Sequence, residues 1–370
     1  MKVLFVTHYS FLLGSNRSLE SLVKYFLKQG VAVSVLMPSR GLFFQHLHEM
    51  GVDVHCVKFF FEAMYVKLNK KYLILPILWL YNLFAFFLLL YKVRMINPDI
   101  IYSNSSADCY SILVAKLLQK KHVMHVREFM QEDFGARYIF GRKSKKSKIL
   151  KSDKIIFVSK AVAKSVVGEI PQNGRVVYNG LPIPNAIEPF HLNRQNVRLG
   201  IVGNIDISKQ QHLIIGFMPQ ILKKYPGLTL HIVGDKESPY KRRIVRQVKD
   251  LKVEKNVFFE GFVRNTDDIY SKFDILVMCS RSEAFGRVTI EAMLRNKPVI
   301  GLDAGGTPEL IKSGVTGFQF VTETDFLKRL AQVINDVENT KRIVDCARKY
   351  AVDNFAEIVY CRNVYDFVIE

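Results

Sequence analysis

Residues 274–310 read DILVMCSRSEAFGRVTIEAMLRNKPVIGLDAGGTPEL, and this stretch decides the fold of the chain. It begins with a short apolar run typical of a buried strand, and an apolar helical pattern follows. Glu283 falls in the loop between them, and Glu291 falls about one turn inside the helix. Because carboxylates are rarely buried without polar partners, both should face an open edge of the fold. Open α/β sheets bind ligands at the carboxyl ends of their strands, so the pair predicts a site that grips the hydroxyls of one ligand.

The same alternation of apolar runs and helical patterns extends along the whole chain. We predict strands over residues 3–7, 31–37, 52–59, 99–103, 122–127, 154–159, 175–179, 197–202, 228–233, 257–262, 275–278, 298–302 and 318–321. Several runs are apolar on both faces, as expected of parallel strands that helices cover. A linker with three prolines, residues 181–189, separates two such series. The predicted fold class is α/β, with two doubly wound Rossmann-like domains facing a cleft, over 1–185 and 190–353, and with a C-terminal helix over 354–370 packing back on the first.

The 370 residues carry a formal net charge of +19 and an isoelectric point near 9.6. This basicity indicates an acidic partner, either nucleic acid, anionic lipid or a phosphorylated ligand; a merely basic soluble protein is the alternative. The five cysteines form no Cys-x-x-Cys pair, which argues against zinc and thioredoxin-like sites. The N-terminal apolar run suits a first strand and is too short for a signal peptide, so we predict a cytoplasmic protein.

Two segments of the first predicted domain interrupt this order. Residues 72–91 form an apolar run of 20 residues, long enough for a transmembrane helix, although Pro76 and Asn82 interrupt it. A buried or groove-lining helix and an interfacial membrane contact are the other interpretations. Residues 142–154 hold seven basic residues in thirteen, which suits a solvated helix face or adhesion to anionic lipid. Because both segments lie in one domain, a membrane contact through the pair is favoured.

Several motifs are absent from the sequence. No two glycines stand at positions i and i+2, so a dinucleotide fingerprint is missing, and so is a P-loop. The sequence also lacks an Asp-x-Asp pair and any His/Cys/Asp cluster with metal spacing. We therefore predict no metal and no cofactor.

Loops at predicted strand ends point instead to a nucleotide diphosphate. Phe285-Gly286-Arg287 opens the helix of Glu291, where free backbone N–H groups bind phosphate or sugar oxygens. Gly305 and Gly306 form a second loop in which a ligand and the backbone can approach closely.

Three further residues follow predicted strands. Lys209 comes after the first strand of the second domain and supplies a charge for the diphosphate. Gly14 would let backbone approach a phosphate, or it is a plain turn glycine. His125 stands near a strand end, where a histidine is either structural or functional.

Together these residues resemble glycosyltransferase family 4, retaining enzymes of the GT-B fold that use nucleotide-sugars. The resemblance covers nearly the whole chain and is most specific over 283–311, followed by Gly314 and Gly317. The candidate catalytic residues are His125, Lys209 and Glu283, and the candidate donor-binding residues are Gly14, Asn204, Val263, Phe285, Gly286, Arg287, Glu291, Gly305 and Gly306.

The resemblance implies a separate role in donor binding or transfer for each of these residues. Glu291 would bind the nucleotide ribose, Glu283 the donor sugar, and Lys209 would neutralise the diphosphate. His125 would lie beside the reacting sugar, and the segment that includes Val263 would approach the base.

Two positions depart from the family pattern. Asn204 stands where an arginine often follows the strand glycine, so the diphosphate would lose one cation unless Arg287 or another basic residue substitutes. The double glycine of the family's first loop is Gly14-Ser15 here.

We therefore expect a retaining hexosyl- or N-acetylhexosaminyltransferase. It would move a sugar from a UDP- or GDP-linked donor to a hydroxyl of a glycan or lipid-linked glycan in cell-surface polysaccharide synthesis. It would lie peripherally on the inner face of the cell membrane through residues 72–91 and 142–154, and it would not bind nucleic acid. The rivals are a nucleotide-sugar epimerase of similar fold and a non-catalytic nucleotide-sugar or lipid-binding protein.

Overall fold

A computed structural model describes residues 1–11, 14–58, 63–65, 75–108, 110–129, 136–138 and 141–370. The start of the apolar run, residues 72–74, lies outside the described residues, as do Phe59 and Cys109. The chain forms two compact units, one of Met1–Gly180 with Glu357–Glu370 and the other of Leu181–Ala356.

Strands and helices alternate through both units. The strands are β1 (Lys2–Val6), β2 (Ala32–Met37), β3 (Asp53–Cys56), β4 (Ala63–Tyr65), β5 (Ile100–Ser103), β6 (Lys121–Val126), β7 (Ala136–Tyr138), β8 (Lys154–Phe157), β9 (Gly174–Val176), β10 (Arg198–Val202), β11 (Thr229–Val233), β12 (Val257–Gly261), β13 (Ile275–Met278), β14 (Val299–Leu302) and β15 (Phe318–Phe320). The helices are α1 (Gly14–Lys28), α2 (Leu42–Glu49), α3 (Leu75–Ile96), α4 (Tyr110–Leu117), α5 (Gly141–Ile149), α6 (Lys160–Val167), α7 (Gln211–Lys224), α8 (Pro239–Asp250), α9 (Thr266–Ser271), α10 (Arg287–Met293), α11 (Thr307–Leu310), α12 (Glu323–Asn335), α13 (Val337–Phe355) and α14 (Glu357–Ile369). Each predicted strand is present, although several predicted ends run a few residues too far.

Both units are built on a parallel sheet. The first sheet has the order β3-β2-β1-β5-β6-β8-β9, and the second has the order β12-β11-β10-β13-β14-β15. In each sheet the chain first adds strands on one side of its first strand and then on the other side, so the winding reverses. The reversal lies between β1 and β5 in the first sheet and between β10 and β13 in the second. This is the doubly wound arrangement, and ligands bind where the winding reverses. The α/β class with two Rossmann-like units is confirmed. A short antiparallel pair, β4 with β7, was not predicted.

Helices cover both faces of the first sheet, which explains why its strands are apolar throughout. Val3 and Phe5 of β1 belong to a core shared with α1, α2 and α14. Leu4 and Val6 of the same strand belong to a second core shared with α3 and α4. Helix α14 packs on α1, where the rings of Phe26 and Tyr365 lie 5.0 Å apart.

Helix α3 carries most of the long apolar run. One side is buried, with Ala85, Leu89 and Val93 at most 2% exposed. Its opposite side exposes large apolar side chains of Leu80, Leu83, Phe84, Phe87, Leu88, Tyr91 and Met95. Among the described residues, no helix has both the length and the hydropathy to cross a membrane.

The basic side chains of segment 142–154 differ in their exposure to solvent. Lys145 is 1% exposed. Burial raises the pKa of the Asp108 and Glu128 carboxyls, and the charge of Lys145 opposes this rise. Lys154 donates from Nζ to the backbone oxygen of Phe367 at 2.7 Å. The basic residues that remain exposed are Arg142, Lys143, Lys146 and Lys151.

Candidate functional site

Three neighbouring strands of the second sheet end at glycines with positive φ. Gly203 has φ 136°, Gly234 has φ 132° and Gly261 has φ 68°. A Cβ on Gly234 would lie 2.1 Å from the carbonyl oxygen of Gly203, so no side chain fits there. Glycine adopts these angles without steric cost, and the carboxyl edge of the sheet is therefore lined by closely spaced backbone.

Lys209 lies in a 3₁₀ turn, Ile207–Lys209, that follows β10. The Asp206 carboxylate caps the turn by accepting from the backbone N–H of Ser208 at 3.1 Å. Gln210 then takes a left-handed conformation, with φ 52°, before α7 begins. The turn holds Lys209 beyond the strand end, beside the point where the winding of the second sheet reverses.

Lys209 and Glu283 form an ion pair at this edge. Nζ of Lys209 lies 2.5 Å from Oε2 of Glu283, although 74 positions separate the residues in sequence. Their side chains are 26% and 17% exposed, so water screens the pair less than it would at an open surface. The structure thus brings together a predicted cation and a predicted carboxylate, from the loops after two adjacent strands.

A buried thiol contacts the 3₁₀ turn that carries Lys209. Sγ of Cys279 lies 3.1 Å from the backbone oxygen of Lys209, and burial raises the pKa of this thiol to about 12. The backbone N–H of Arg281 donates to the oxygen of Ser208 at 3.1 Å. These contacts fix the turn against the end of β13. Cys279 could not be identified from the sequence, because its only signal there is an apolar strand context.

Gly305 and Gly306 lie against the Glu283 loop. The N–H of Gly306 donates to the oxygen of Glu283 at 2.7 Å. A Cβ on Gly305 would lie 2.7 Å from the nitrogen of Glu283, and one on Gly306 would lie 2.8 Å from the oxygen of Ala284. The double glycine is therefore required for packing between two loops, and this packing holds the backbone of Glu283.

Helix α10 begins at a glycine without a side-chain cap. Gly286, the residue that precedes the helix, has φ 86° and makes no side-chain cap. The Phe285 side chain is 4% exposed, with its ring 5.9 Å from that of Phe355. Phe285 can therefore reach a ligand only through its backbone.

Glu291 lies inside α10 with polar partners, as predicted. Its Oε2 accepts from the hydroxyl of Tyr270 at 3.0 Å, and its Oε1 lies 3.9 Å from Nε of Arg287. Burial, and next the charge of Glu291, raise the pKa of Tyr270 well above its usual value, so this hydroxyl stays protonated. Tyr270 was missed because it lies 21 positions away on another helix.

Two other predicted residues lie on loops of the second unit. Asn204 is exposed, and its backbone oxygen accepts from Nε2 of Gln211 at 2.9 Å. Val263 is partly buried beside Phe262, which is 79% exposed.

In the first unit, Gly14 is the exposed first residue of α1. Nothing lies within 4 Å of a Cβ built on it, so the site is open. Asn16 orders the preceding loop, because its amide donates to the oxygens of Tyr9 and Phe11 at 2.9 and 2.8 Å. Its Oδ1 accepts from the hydroxyl of Thr7 at 2.7 Å.

His125 lies inside the first unit rather than at its surface. Its side chain is 0% exposed, and Nδ1 is 2.5 Å from the hydroxyl of Tyr102. Nε2 has no hydrogen-bond partner among the described residues. Burial, and next the charge of Arg127, hold the pKa of this imidazole well below its usual value, so it is neutral. The structure therefore does not bring His125 to an accessible edge, and its catalytic role stays a prediction.

Arg127 and Glu128 occupy the end of β6 instead. The Arg127 guanidinium donates to Oδ1 of Asn104 at 3.0 Å, to Oδ1 of Asn179 at 2.6 Å and to the hydroxyl of Tyr360 at 2.7 Å. The Glu128 carboxylate accepts from the hydroxyls and backbone of the Ser105-Ser106 turn at 2.6–3.0 Å. Burial raises the pKa of Glu128 despite these bonds. The signal for these two residues in the sequence is an Arg-Glu pair directly after a buried strand.

No group of three or more His, Cys, Asp or Glu side chains that could hold a metal ion occurs in the part of the chain that the structure describes. The absence of a metal from the reaction stays a prediction.

Two family models match the chain. The one described as Glycosyltransferase Family 4 matches residues 13–183, and the one described as Glycosyl transferases group 1 matches residues 184–350. With the two doubly wound units, these matches define a glycosyltransferase of the GT-B type. The chain belongs to the glycosyltransferases of family 4, which confirms the predicted family, fold and enzyme class.

Several known proteins are similar to this chain. A poly(ribitol-phosphate) alpha-N-acetylglucosaminyltransferase of Staphylococcus aureus (strain COL) is 25% identical over 65% of this chain and 49% of its own length. The O-antigen biosynthesis glycosyltransferase WbnH of Escherichia coli is 26% identical over 73% of this chain and 79% of its own. The crystal structure of HepE from Anabaena in complex with UDP has a TM-score of 0.79 at 21% identity, covering 100% of this chain and 99% of that one. The chain spans about half the length of the Staphylococcus relative.

Proposed function

We propose that this protein transfers a sugar, with retention of anomeric configuration, from a nucleoside diphosphate donor to a hydroxyl of a glycan or lipid-linked glycan. The observation that carries the proposal is the Lys209–Glu283 pair at the reversal point of the second sheet, 2.5 Å apart. Glu291 lies on the helix that follows Glu283. One unit thus holds a cation for the diphosphate, one carboxylate for the sugar and one for the ribose.

The chemistry follows from these charges. A diphosphate that enters beside Lys209 replaces Glu283 as its partner, and the released carboxylate accepts hydroxyls of the donor sugar. Lys209 then stabilises the charge that develops on the departing diphosphate. The acceptor hydroxyl attacks the anomeric carbon from the face that the diphosphate leaves and gives its proton to the departing diphosphate, so the anomeric configuration is kept. Positioning supplies the rest of the acceleration.

The relatives support the choice of substrates. HepE is described in complex with UDP, which favours a uridine nucleotide, with GDP as the alternative. WbnH is named for O-antigen biosynthesis and the Staphylococcus enzyme for poly(ribitol phosphate), which favours an acceptor in cell-surface polysaccharide synthesis.

Thermal-shift screening against UDP- and GDP-sugars, followed by product mass analysis, tests this proposal. The correct donor should raise the melting temperature, since a ligand that binds only the folded state stabilises it. A glycan acceptor should then gain the mass of one sugar. Release of an epimerised sugar nucleotide without acceptor would overturn transfer in favour of an epimerase. Donor binding with no turnover on any acceptor would favour a binding protein.

We also propose that the first unit attaches peripherally to the inner face of an anionic membrane. Phe84 and Phe87 on α3 are 64% and 58% exposed, and the surrounding face is apolar. The exposed lysines and arginine of segment 142–154 belong to the same unit, and basic residues near anionic lipid contribute about 1 kcal/mol each.

Cosedimentation with vesicles of phosphatidylglycerol and of phosphatidylcholine tests the attachment. The double variant Phe84→Ser/Phe87→Ser should lose binding to the anionic vesicles. The matched control is Leu42→Ser/Ile170→Ser, because Leu42 and Ile170 are exposed apolar residues of the first unit outside α3. Equal binding by both variants, or a salt-sensitive shift with DNA and none with vesicles, would overturn the proposal.

A further inference from the structure

The two oxygens of the Glu291 carboxylate have different surroundings. Oε2 accepts from the Tyr270 hydroxyl at 3.0 Å. Oε1 lies 3.9 Å from Nε of Arg287, beyond hydrogen-bond distance. Oε1 makes no hydrogen bond with the residues that the structure describes, and the side chain is 23% exposed. One oxygen is therefore held, and the other is left to accept a hydrogen bond from a ligand.

Tyr270 itself is fixed on several sides. It is 1% exposed, and its ring lies 5.5 Å from that of Phe273. The Arg295 guanidinium lies 5.0 Å from the ring centre, and its NH2 donates to Oδ1 of Asp267 at 2.8 Å. NH1 of Arg295 also donates to the backbone oxygen of Glu291 at 3.2 Å. These contacts hold the hydroxyl of Tyr270 in place beside Glu291.

The hydroxyl has one proton and two acceptors. It lies 3.1 Å from the backbone oxygen of Val288 as well as 3.0 Å from Oε2 of Glu291. Both acceptors are on α10, so the hydroxyl is hydrogen-bonded to this helix whichever acceptor receives the proton. A charged carboxylate is the stronger acceptor.

We propose that Tyr270 is a positioning residue that holds Oε2 of Glu291 so that Oε1 accepts a hydrogen bond from a ribose hydroxyl of the donor nucleotide. The inference rests on the proposed function. A carboxylate that rotates freely loses that freedom when a ligand binds, whereas one already held loses little. Tyr270 therefore increases the preference for ribose over nucleotides that lack its hydroxyls.

The test compares the dissociation constants of UDP and 2′,3′-dideoxy-UDP by titration calorimetry, or those of the GDP pair if GDP is the nucleotide that binds. A hydrogen bond to a charged group predicts that the wild-type protein prefers the ribonucleotide by about tenfold or more. Tyr270→Phe, which removes only the hydroxyl, should reduce this preference at least about threefold. Both constants come from one sample, so a smaller folded fraction does not change their ratio.

Tyr225→Phe is the matched control, because Tyr225 lies in the same unit and its buried hydroxyl has no partner among the described residues. It should keep the wild-type preference. An unchanged preference in Tyr270→Phe would overturn the positioning role alone. Equal wild-type affinity for the two nucleotides would overturn the ribose contact of Glu291, and with it the inference. Failure of the wild-type protein to bind UDP or GDP would overturn the proposed function itself.

Discussion

The buried thiol of Cys279 and the backbone oxygen of Lys209 lie 3.1 Å apart, so a buried residue holds the turn that presents the lysine. We expect Cys279→Val, which removes the donor, to lower kcat several-fold, while Cys279→Ser keeps a donor and stays near the wild-type rate. Steady-state kinetics with saturating donor checks this. Equal losses in both variants would indicate that the volume of the side chain matters and its hydrogen bond does not.

Lys209→Ala should slow transfer by about 100-fold, because it removes the cation that stabilises the departing diphosphate. The control is Lys236→Ala. Lys236 lies on the neighbouring loop, pairs with Asp206 at 2.5 Å and is 51% exposed. Its loss should change kcat by less than about threefold, since exposed pairs contribute little. Similar rates for the two variants would argue against a specific role for Lys209.

Glu291→Ala should weaken donor binding more than it slows the chemical step. A lost hydrogen bond to a charged group corresponds to about 1.5–3 kcal/mol of binding free energy. Steady-state kinetics gives the changes in KM and in kcat, and direct titration with the nucleotide gives the change in its affinity. A variant with normal donor affinity would contradict the assignment.

Gly306→Ala should destabilise the protein by about 1–3 kcal/mol and reduce activity, since its Cβ would lie 2.8 Å from the oxygen of Ala284. Gly216→Ala provides the contrast. Gly216 lies inside α7, and a Cβ there meets only Nε2 of Gln247 at 3.5 Å. This second change should raise the melting temperature, because alanine favours a helix. Thermal denaturation of both variants distinguishes the effects.

His122 should make the first unit sensitive to acid. Its ring accepts or donates to Ser103 and Ser152 at 3.0 Å, and burial lowers its pKa to about 3. Below about pH 6.5 this imidazole binds a proton in the unfolded chain but not in the folded chain. The contribution of neutral His122 to the free energy of unfolding is therefore fully present above that pH. It is lost as the pH falls toward 3, by up to about 1.4 kcal/mol per pH unit.

Urea denaturation at pH 7 and pH 5.5 checks the prediction. Circular dichroism follows the unfolding. His122→Asn should flatten the pH dependence, whereas His48→Asn, at an exposed position, should leave it unchanged. His8, whose pKa burial lowers to about 4, maintains part of the slope in both variants.

The strands, and the placement of Lys209 and Glu283 in the loops that follow two of them, could be predicted because their signals are local. A short apolar run followed by a glycine or glutamate marks the end of a parallel strand wherever it occurs. The orientation of His125 could not be predicted in this way. Both faces of β6 are buried, so no alternation of polar and apolar residues shows which side chains point inward. Contacts such as Tyr270 with Glu291 depend on how two helices pack, and spacing along the chain does not encode that.

The second unit is an insertion in the first. The chain leaves the first unit at Gly180 and returns at Glu357. The two ends of the second unit are adjacent, because the N–H of Leu181 donates to the oxygen of Phe355 at 2.9 Å. Adjacent ends allow a unit to be transplanted as one piece. Exchanging residues 181–356 between relatives therefore tests directly whether this unit alone sets the donor preference.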